Sequence, residues 1–214
     1  MFGVRQVSDN IAHDLRTPLT RMRSHIEGLQ KQSPDNTDYI KLLAEADRVL
    51  GTFSALLRIS RIETEQQRSQ FKNLDLDKIV KDVIDFYEPL AEEKGVAVQI
   101  QLEPVSFYGD RDLLFQAFAN ILDNAVKYTP AHGAVRITLQ KKPRNIVVTI
   151  ENTGDSIPED DLPKIFERFY RADKSRSEPG TGLGLSLVSA VISLHGGNIY
   201  AKNADTGFQI ITHL

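Results

Sequence analysis

Along the first sixty residues the apolar positions recur by threes and fours. Val4, Val7, Ile11, Leu15, Pro18, Met22, Ile26 and Leu29 follow this spacing. At about 100° per residue they fall within one stripe of a helix running from residue 4 to about 30. The stretch KQSPDNTD, residues 31–38, breaks the pattern. Pro34, Asp35 and Asn36 form turns readily, and Thr37 or Asp38 can cap the next helix. That second helix is expected from about Tyr39 to Arg68, with Leu43, Ala46, Leu50, Phe53 and Leu57 as its seam and Leu42, Val49 and Leu56 widening it. Two such helices make a hairpin whose apolar face is too broad for it to hide alone. Pairing two hairpins into a four-helix bundle covers that face, as would packing against the rest of the chain. The polar QQRSQ, residues 66–70, reads as a linker.

Beyond it the pattern changes to short alternating runs between helices. A possible strand near FKNLDL precedes an amphipathic helix from about Asp77 to Lys94, which Gly95 ends. VAVQIQL and SFYG come next, then a helix that starts at Asp110. AVRITLQ and NIVVTIE read as strands of a hairpin turning at residues 141–144. A short helix near Glu159 to Phe166, a polar stretch, a helix from about Gly182 to Leu194, and the strands NIYAKN and GFQIITHL complete the chain. The expected fold class is α+β. Residues 1–68 form a helical hairpin, and residues 69–214 an α/β sandwich with a mixed sheet covered by helices on one face.

Composition narrows the function classes. The chain has 214 residues, enough for a sizeable core in one or two domains. A formal net charge of −3 without a basic block argues against a dedicated nucleic-acid binder. Cysteine is absent, which removes disulfide and thiolate chemistry and suits a reducing compartment. No run approaches the ~18 apolar residues of a membrane span, and MFGVRQVSDN does not read as a signal peptide.

The candidate chemistry begins at His13, which lies roughly 180° from the apolar stripe of the first helix. Asp14 beside it could hydrogen-bond one imidazole nitrogen, fix the tautomer and sharpen the other as a nucleophile. Thr17 stands one turn on, on the same face, and Pro18 should bend the helix where that face is displayed. In the second region, Asn120 and Asn124 share a helix face, with Lys127 and Tyr128 close by. ENTGDSIP, residues 151–158, ends a strand in a turn at Gly154. FERFYR, residues 166–171, offers Phe166 and Phe169 as core anchors for the polar loop ADKSRSEPG, which reads as a mobile lid, and Arg168 and Arg171 as phosphate contacts. GTGLGLSLV places Gly180, Gly182 and Gly184 at a helix start, where backbone N–H groups and the helix dipole favour phosphate. This is neither a dinucleotide fingerprint, since no strand precedes it, nor a P-loop, since no GK[ST] follows. Each segment also has a plainer reading: a surface histidine, two solvated amides, a strand-to-helix turn, glycines that merely permit close packing.

Taken together, HDLRTPLT resembles the phosphoacceptor box of sensor histidine kinases of two-component systems. NILDNAVKYT resembles their asparagine box, ENTGDSIP their first glycine box, FERFYR their phenylalanine box and GTGLGLSLV their second glycine box, in family order over nearly the whole chain. The resemblance implies ATP and Mg²⁺ as cofactors and a homodimer through the helical hairpin. It further implies phosphorylation of His13, with Asp14 orienting and deprotonating the imidazole, and transfer to an aspartate on a response regulator receiver domain. Thr17, with Asp14, matches the family's phosphatase pattern. The implied nucleotide contacts are Asn120, Asn124, Lys127, Tyr128, Asn152, Gly154, Ile157, Arg168, Gly180, Thr181, Gly182, Leu183, Gly184 and Leu185, with Asn124 also the magnesium ligand. No nucleic-acid partner and no membrane contact in this fragment are implied; it resembles the cytoplasmic part of a longer protein of the bacterial inner membrane. The chain departs from the family pattern at Asn152, where an aspartate is more common, and at Ser156, where a second glycine is. An amide oxygen at Asn152 can still accept from the adenine amine, without the charge.

Two other readings remain open on these residues. One is an ATP hydrolase of the wider superfamily that includes gyrase and heat-shock chaperones. Its glutamate base would stand where this chain has Asn120. The other is a non-catalytic scaffold with a degenerate nucleotide site, for which Asn152 and Ser156 are the best support.

Overall fold

The computed structural model describes the backbone of residues 3–63, 70–172 and 181–214, and the side chains of these except 3–16, 61 and 63. The chain divides into two compact units, Met1–Arg61 and Ile62–Leu214. The domain boundary expected at 68/69 lies outside the described residues.

The first unit is the hairpin of α1 (Gly3–Gln32) and α2 (Thr37–Glu63). α1 continues through Pro18. The cap of α2 differs from the expectation: the helix starts earlier, at Thr37, so Asn36 rather than Thr37 or Asp38 takes the capping place. Its side-chain oxygen accepts from the Asp38 amide at 3.0 Å. α2 is described as far as Glu63, and the remainder of the helix expected up to Arg68 lies outside the described residues. Arg23 ties the two helices, its Nε 2.5 Å from Asp47 Oδ1, and its Nη1 holds Glu27 at 3.0 Å. These exposed pairs are screened by solvent and add little to stability. Along the seam Ala46 is buried, while Leu43, Leu50, Phe53 and Leu57 are half-buried. Met22, Ile40, Leu42 and Val49 remain 40–51 % exposed. A single hairpin therefore leaves apolar surface in water, as the breadth of its stripe requires.

The second unit holds a five-stranded mixed sheet in the order β2-β4-β5-β7-β6. Its strands are β2 (Ala97–Leu102), β4 (Ala134–Lys141), β5 (Ile146–Thr153), β6 (Asn198–Ala204) and β7 (Gly207–His213). β2 and β4 run parallel and the other neighbours antiparallel. The strand near FKNLDL, β1 (Lys72–Asp75), joins β3 (Ser106–Gly109) in a separate two-stranded sheet. Helices α3 (Leu76–Glu93), α4 (Arg111–Tyr128) and α5 (Gly184–Leu194) cover one face. On that face Val135, Ile137, Leu139, Val148 and Ile150 are buried beneath Leu114, Phe118, Ile121, Val188 and Ile192. The alternate residues Arg136, Thr138, Thr149 and Glu151 face the other way, half-buried or exposed. This period of two is why one face is covered and the other polar.

The segment Glu159 to Phe166 is not one helix. Pro163 lacks the N–H that a continuing helix needs, and the chain makes two single 3₁₀ turns, Glu159–Asp161 and Lys164–Phe166. Phe169, expected as a core anchor, is 56 % exposed with a left-handed φ of 65°. Leu162 and Ile165 are the buried anchors instead, and Phe166 is half-buried. The last helix starts at Gly184, two residues later than expected, because Gly182 has a φ of +70° that no helical residue adopts.

Candidate nucleotide and phosphoacceptor sites

α4 carries the paired asparagines, and both its ends are fixed. At the start, the Asp110 carboxylate accepts from the amides of Asp112 and Leu113 at 2.9 and 3.1 Å. Asp110's own N–H donates to His195 Nε2 at 3.0 Å, and His195 Nδ1 lies 2.8 Å from the Val191 carbonyl. Since Nε2 accepts, this geometry needs a neutral ring with its proton on Nδ1. Through the bond from Asp110, His195 joins the end of α5 to the start of α4, and its imidazole stacks on Phe71, centroids 4.5 Å apart. At the far end, Thr129 Oγ1 donates to the Ala125 carbonyl at 2.6 Å. The Lys94 ammonium donates to the carbonyls of Val126 and Lys127 at 3.0 and 2.6 Å. A cation there satisfies the orphan carbonyls and the negative end of the helix dipole.

With Leu114, Phe118, Ile121, Leu122 and Ala125 buried on one side, the face left over presents Gln116, Asn120 and Asn124, one turn apart. Asn120 Nδ2 donates back to the Gln116 carbonyl at 3.0 Å, and Asn124 Nδ2 to the Asn120 carbonyl at 2.9 Å. One N–H of each amide is thus used on its own helix, and each Oδ1 is its acceptor end. Asn120 Oδ1 lies 3.3 Å from where a Cβ on Gly184 would sit, so a side chain at 184 would crowd it. The start of α5 therefore stands against the asparagine face. Its N-cap residue, the buried Leu183, makes no side-chain cap bond. Lys127 is half-buried with its Nζ 5.1 Å from the centroid of the Tyr128 ring, which is 44 % exposed.

The other segments converge on the same end of the unit. The Phe169 N–H donates to the Gly182 carbonyl at 3.0 Å, and a Cβ on Gly182 would lie 2.8 Å from the Phe169 carbonyl carbon. Glycine is thus required at 182 both by its φ and by this approach. Thr181 beside it and Leu185 in the first turn of α5 are half-buried. Asn152, at the end of β5, is buried with its Nδ2 donating to the Thr153 carbonyl at 3.0 Å. Next to it Gly154, φ +145°, would place a Cβ 3.1 Å from the Tyr128 carbonyl, which brings the first glycine box against the end of α4. Ile157 is half-buried in the loop beyond. Hydrogen bonds from Tyr170 and Lys164 hold the Asp161 carboxyl below its usual range and tie the two 3₁₀ turns to the phenylalanine box.

Arg168 is not brought to this place. It is exposed and lines a cleft with Ser186, Ser189 and Ser193. Those serines lie about half a turn round α5 from Gly184. Spacing within the motif could not reveal this, because the left-handed turn at Phe169 redirects the chain. Gly180 and most of the expected lid lie outside the described residues. In the first unit His13 and Asp14 lie on α1 with side chains outside the described set, and Thr17, one turn on, is half-buried.

The donor set fits a magnesium nucleotide. Neutral amide oxygens suit a hard cation without repelling phosphate. A glycine helix start with no side-chain cap offers N–H groups to an anion.

Comparison with known proteins supports a site for ATP. Residues 4–65 match the His Kinase A (phospho-acceptor) domain, and residues 109–214 match the family of histidine kinase-, DNA gyrase B- and HSP90-like ATPases. The mycobacterial sensor histidine kinase MprB is 30 % identical over 67 % of this chain and 96 % of its own, with a TM-score of 0.60. The chain belongs to the sensor histidine kinases of two-component systems. As such it carries the phosphoacceptor and ATP-binding domains of an ATP-dependent histidine kinase. The heme sensor protein HssS of Staphylococcus aureus is 35 % identical over 194 residues, 89 % of this chain and 42 % of that protein. The chain thus spans under half the length of the curated relatives it matches. Histidine kinase ThkA, solved in complex with the response regulator protein TrrA, shares the fold at 23 % identity and a TM-score of 0.62, over 98 % of this chain and 60 % of that one. A phosphoacceptor domain in the same chain sets the hydrolase reading aside, and no described helix is long and apolar enough to cross a membrane.

Proposed function

We propose that this chain phosphorylates His13 from ATP, passes the phosphoryl group to an aspartate of a response regulator, and removes it again with the help of Thr17. The observation that carries the kinase reading is the asparagine face of α4 set against the glycine start of α5, with Asn120 Oδ1 3.3 Å from a Cβ position on Gly184.

When bound, ATP with its magnesium ion supplies the γ-phosphoryl group and a cation that draws charge from it. Asn124 Oδ1 would hold the ion, and Lys127 would meet phosphate as a point charge. The first amides of α5, at Gly184 and Leu185, would face the negative charge, with Thr181, Gly182 and Leu183 shaping the approach and Asn120 placed beside it. On the base side, Asn152 Oδ1 would accept from the adenine amine, and Gly154, Ile157 and Tyr128 would bound the ring. A nitrogen of His13 is the nucleophile, and Asp14 orients the imidazole and takes its proton. Catalysis is then mostly positioning and electrostatics.

The exposed apolar seam of the hairpin supports a homodimer through a four-helix bundle, and the complex of ThkA with TrrA supports a receiver domain as the partner. Because the relatives are longer, we read this portion as the cytoplasmic part of a protein held in the bacterial inner membrane. Titrating ATP with Mg²⁺ into wild type, His13→Gln and Asn124→Ala tests the division of labour: His13→Gln binds nucleotide as wild type does, and Asn124→Ala does not. Equal binding by all three would refute the asparagine site.

A further inference from the structure

The loop that leaves β5 is shaped by residues far downstream. Asn152 in β5, Phe208 in β7 and Asn203 in β6 are Cα partners across three adjacent strands. Residues in register share a face of the sheet, so Asn203 stands on the face that holds the buried Asn152, at the sheet's edge. From Thr153 the chain crosses over β7 to reach it. There the Ile157 N–H donates to Asn203 Oδ1 at 2.9 Å, and Asn203 Nδ2 donates to the Ile157 carbonyl at 2.8 Å. Nδ2 also lies 3.4 Å from Glu159 Oε1. At the near end of the loop the Gly154 N–H donates to the Thr206 carbonyl at 3.1 Å, in the turn between β6 and β7.

We propose that Asn203 is a positioning residue for nucleotide binding, which clamps Ile157 through its N–H and its carbonyl and so holds the base-binding loop in shape before ATP arrives. This rests on the reading of residues 152–157 as the base side of the nucleotide site. Asn203 itself does not touch the nucleotide. Only an amide of this length both accepts from and donates to Ile157 at one place. Aspartate keeps the acceptor, loses the donor, and sets its charge against the Ile157 carbonyl and Glu159. With the clamp gone, the loop must be ordered when nucleotide binds, and that cost weakens binding without touching the groups that transfer phosphate.

The test uses the full chain, with Asn203→Ala and Asn203→Asp beside wild type. Amide exchange is followed at Ile157, with Ile150 in the core of β5 as the reference for a folded sheet. Exchange at Ile157 should speed up about ten-fold in Asn203→Ala, and by less in Asn203→Asp, which keeps the acceptor for its N–H, while Ile150 stays protected. In autophosphorylation, KM for ATP should rise about ten-fold in both, with kcat within about two-fold of wild type. Unchanged exchange at Ile157 overturns the clamp. So does a fall in kcat with KM unchanged, which would mark a role in the transfer or in general stability. Faster exchange with unchanged KM leaves Ile157 clamped but overturns the link to nucleotide. Wild type that binds no ATP at all overturns the underlying reading of the site instead, and the exchange result then still decides the clamp.

Discussion

The two units solve opposite problems. In the hairpin the proposed chemistry sits in one continuous motif, HDLRT at residues 13–17 on α1, while apolar residues such as Leu42 and Met22 are left in water, 51 and 48 % exposed. In the second unit the core is closed, with Leu114, Phe118, Ile137 and Val188 fully buried, and the candidate site is assembled from three separated segments. On the proposed function, a histidine that a kinase domain and a receiver domain both reach needs display, and one helix face suffices for that. A nucleotide site needs convergence. Asn124, Gly184 and Asn152 can be brought together only by a sheet and a helix layer rigid enough to hold them.

The largest test of this contrast removes convergence and keeps display. Asn124→Ala should lower phosphorylation of His13 by roughly 100- to 1000-fold, since a group that holds transferring charge is lost. Chelation of Mg²⁺ should do the same to wild type, while the hairpin's dimerisation, followed by sedimentation, stays as it was. A dimer that dissociates in Asn124→Ala would show that the two units are not separable in this way. The reverse change acts on display alone. Thr17→Ala should leave labelling of His13 within a few-fold but slow removal of phosphate from the response regulator by ~10- to 100-fold, through a lost water-positioning hydroxyl. Parallel loss of both activities, or of neither, would refute that role. The smallest effect belongs to Asn152→Asp. The carboxylate restores a charged acceptor for the adenine amine, so ATP should bind tighter by ~1 kcal/mol. At the same time the loss of the 3.0 Å bond from Nδ2 to the Thr153 carbonyl should lower the melting temperature of the protein without nucleotide. Calorimetry with and without ATP reads both, and an aspartate variant that binds no ATP would mean a pocket rebuilt around asparagine.

Much of this was legible because periodicity and glycine act locally. The helix stripes follow from spacing alone, the Asn120–Asn124 pair follows from a four-residue interval, and Gly95, φ +69°, ends α3 as expected. The illegible part depends on contacts between distant segments. The clamp by Asn203 and the bridge by His195 join residues 46 and 85 positions apart, and nothing in NIYAKN or SLHGG announces a partner. The third bond of this kind, from Lys94 to the end of α4, spans 33 positions. Phe169 was misread for a different reason, and Arg168 beside it lines the serine cleft. A motif read as a helical i, i+3 pair contains a left-handed residue, and a single positive φ turns both neighbours away from where helical spacing puts them. The cap of α2 was missed by one residue because several cap-forming side chains stand side by side, and only the helix start decides among them.

The most direct test of the division between display and convergence is the fate of the γ-phosphate. Wild type incubated with γ-labelled ATP and Mg²⁺, then digested under alkaline conditions and mapped by mass spectrometry, should carry an acid-labile phosphate on His13, and His13→Gln should carry none while binding ATP undiminished. Release of free phosphate with no label on the protein, or equal labelling of wild type and His13→Gln, would contradict it.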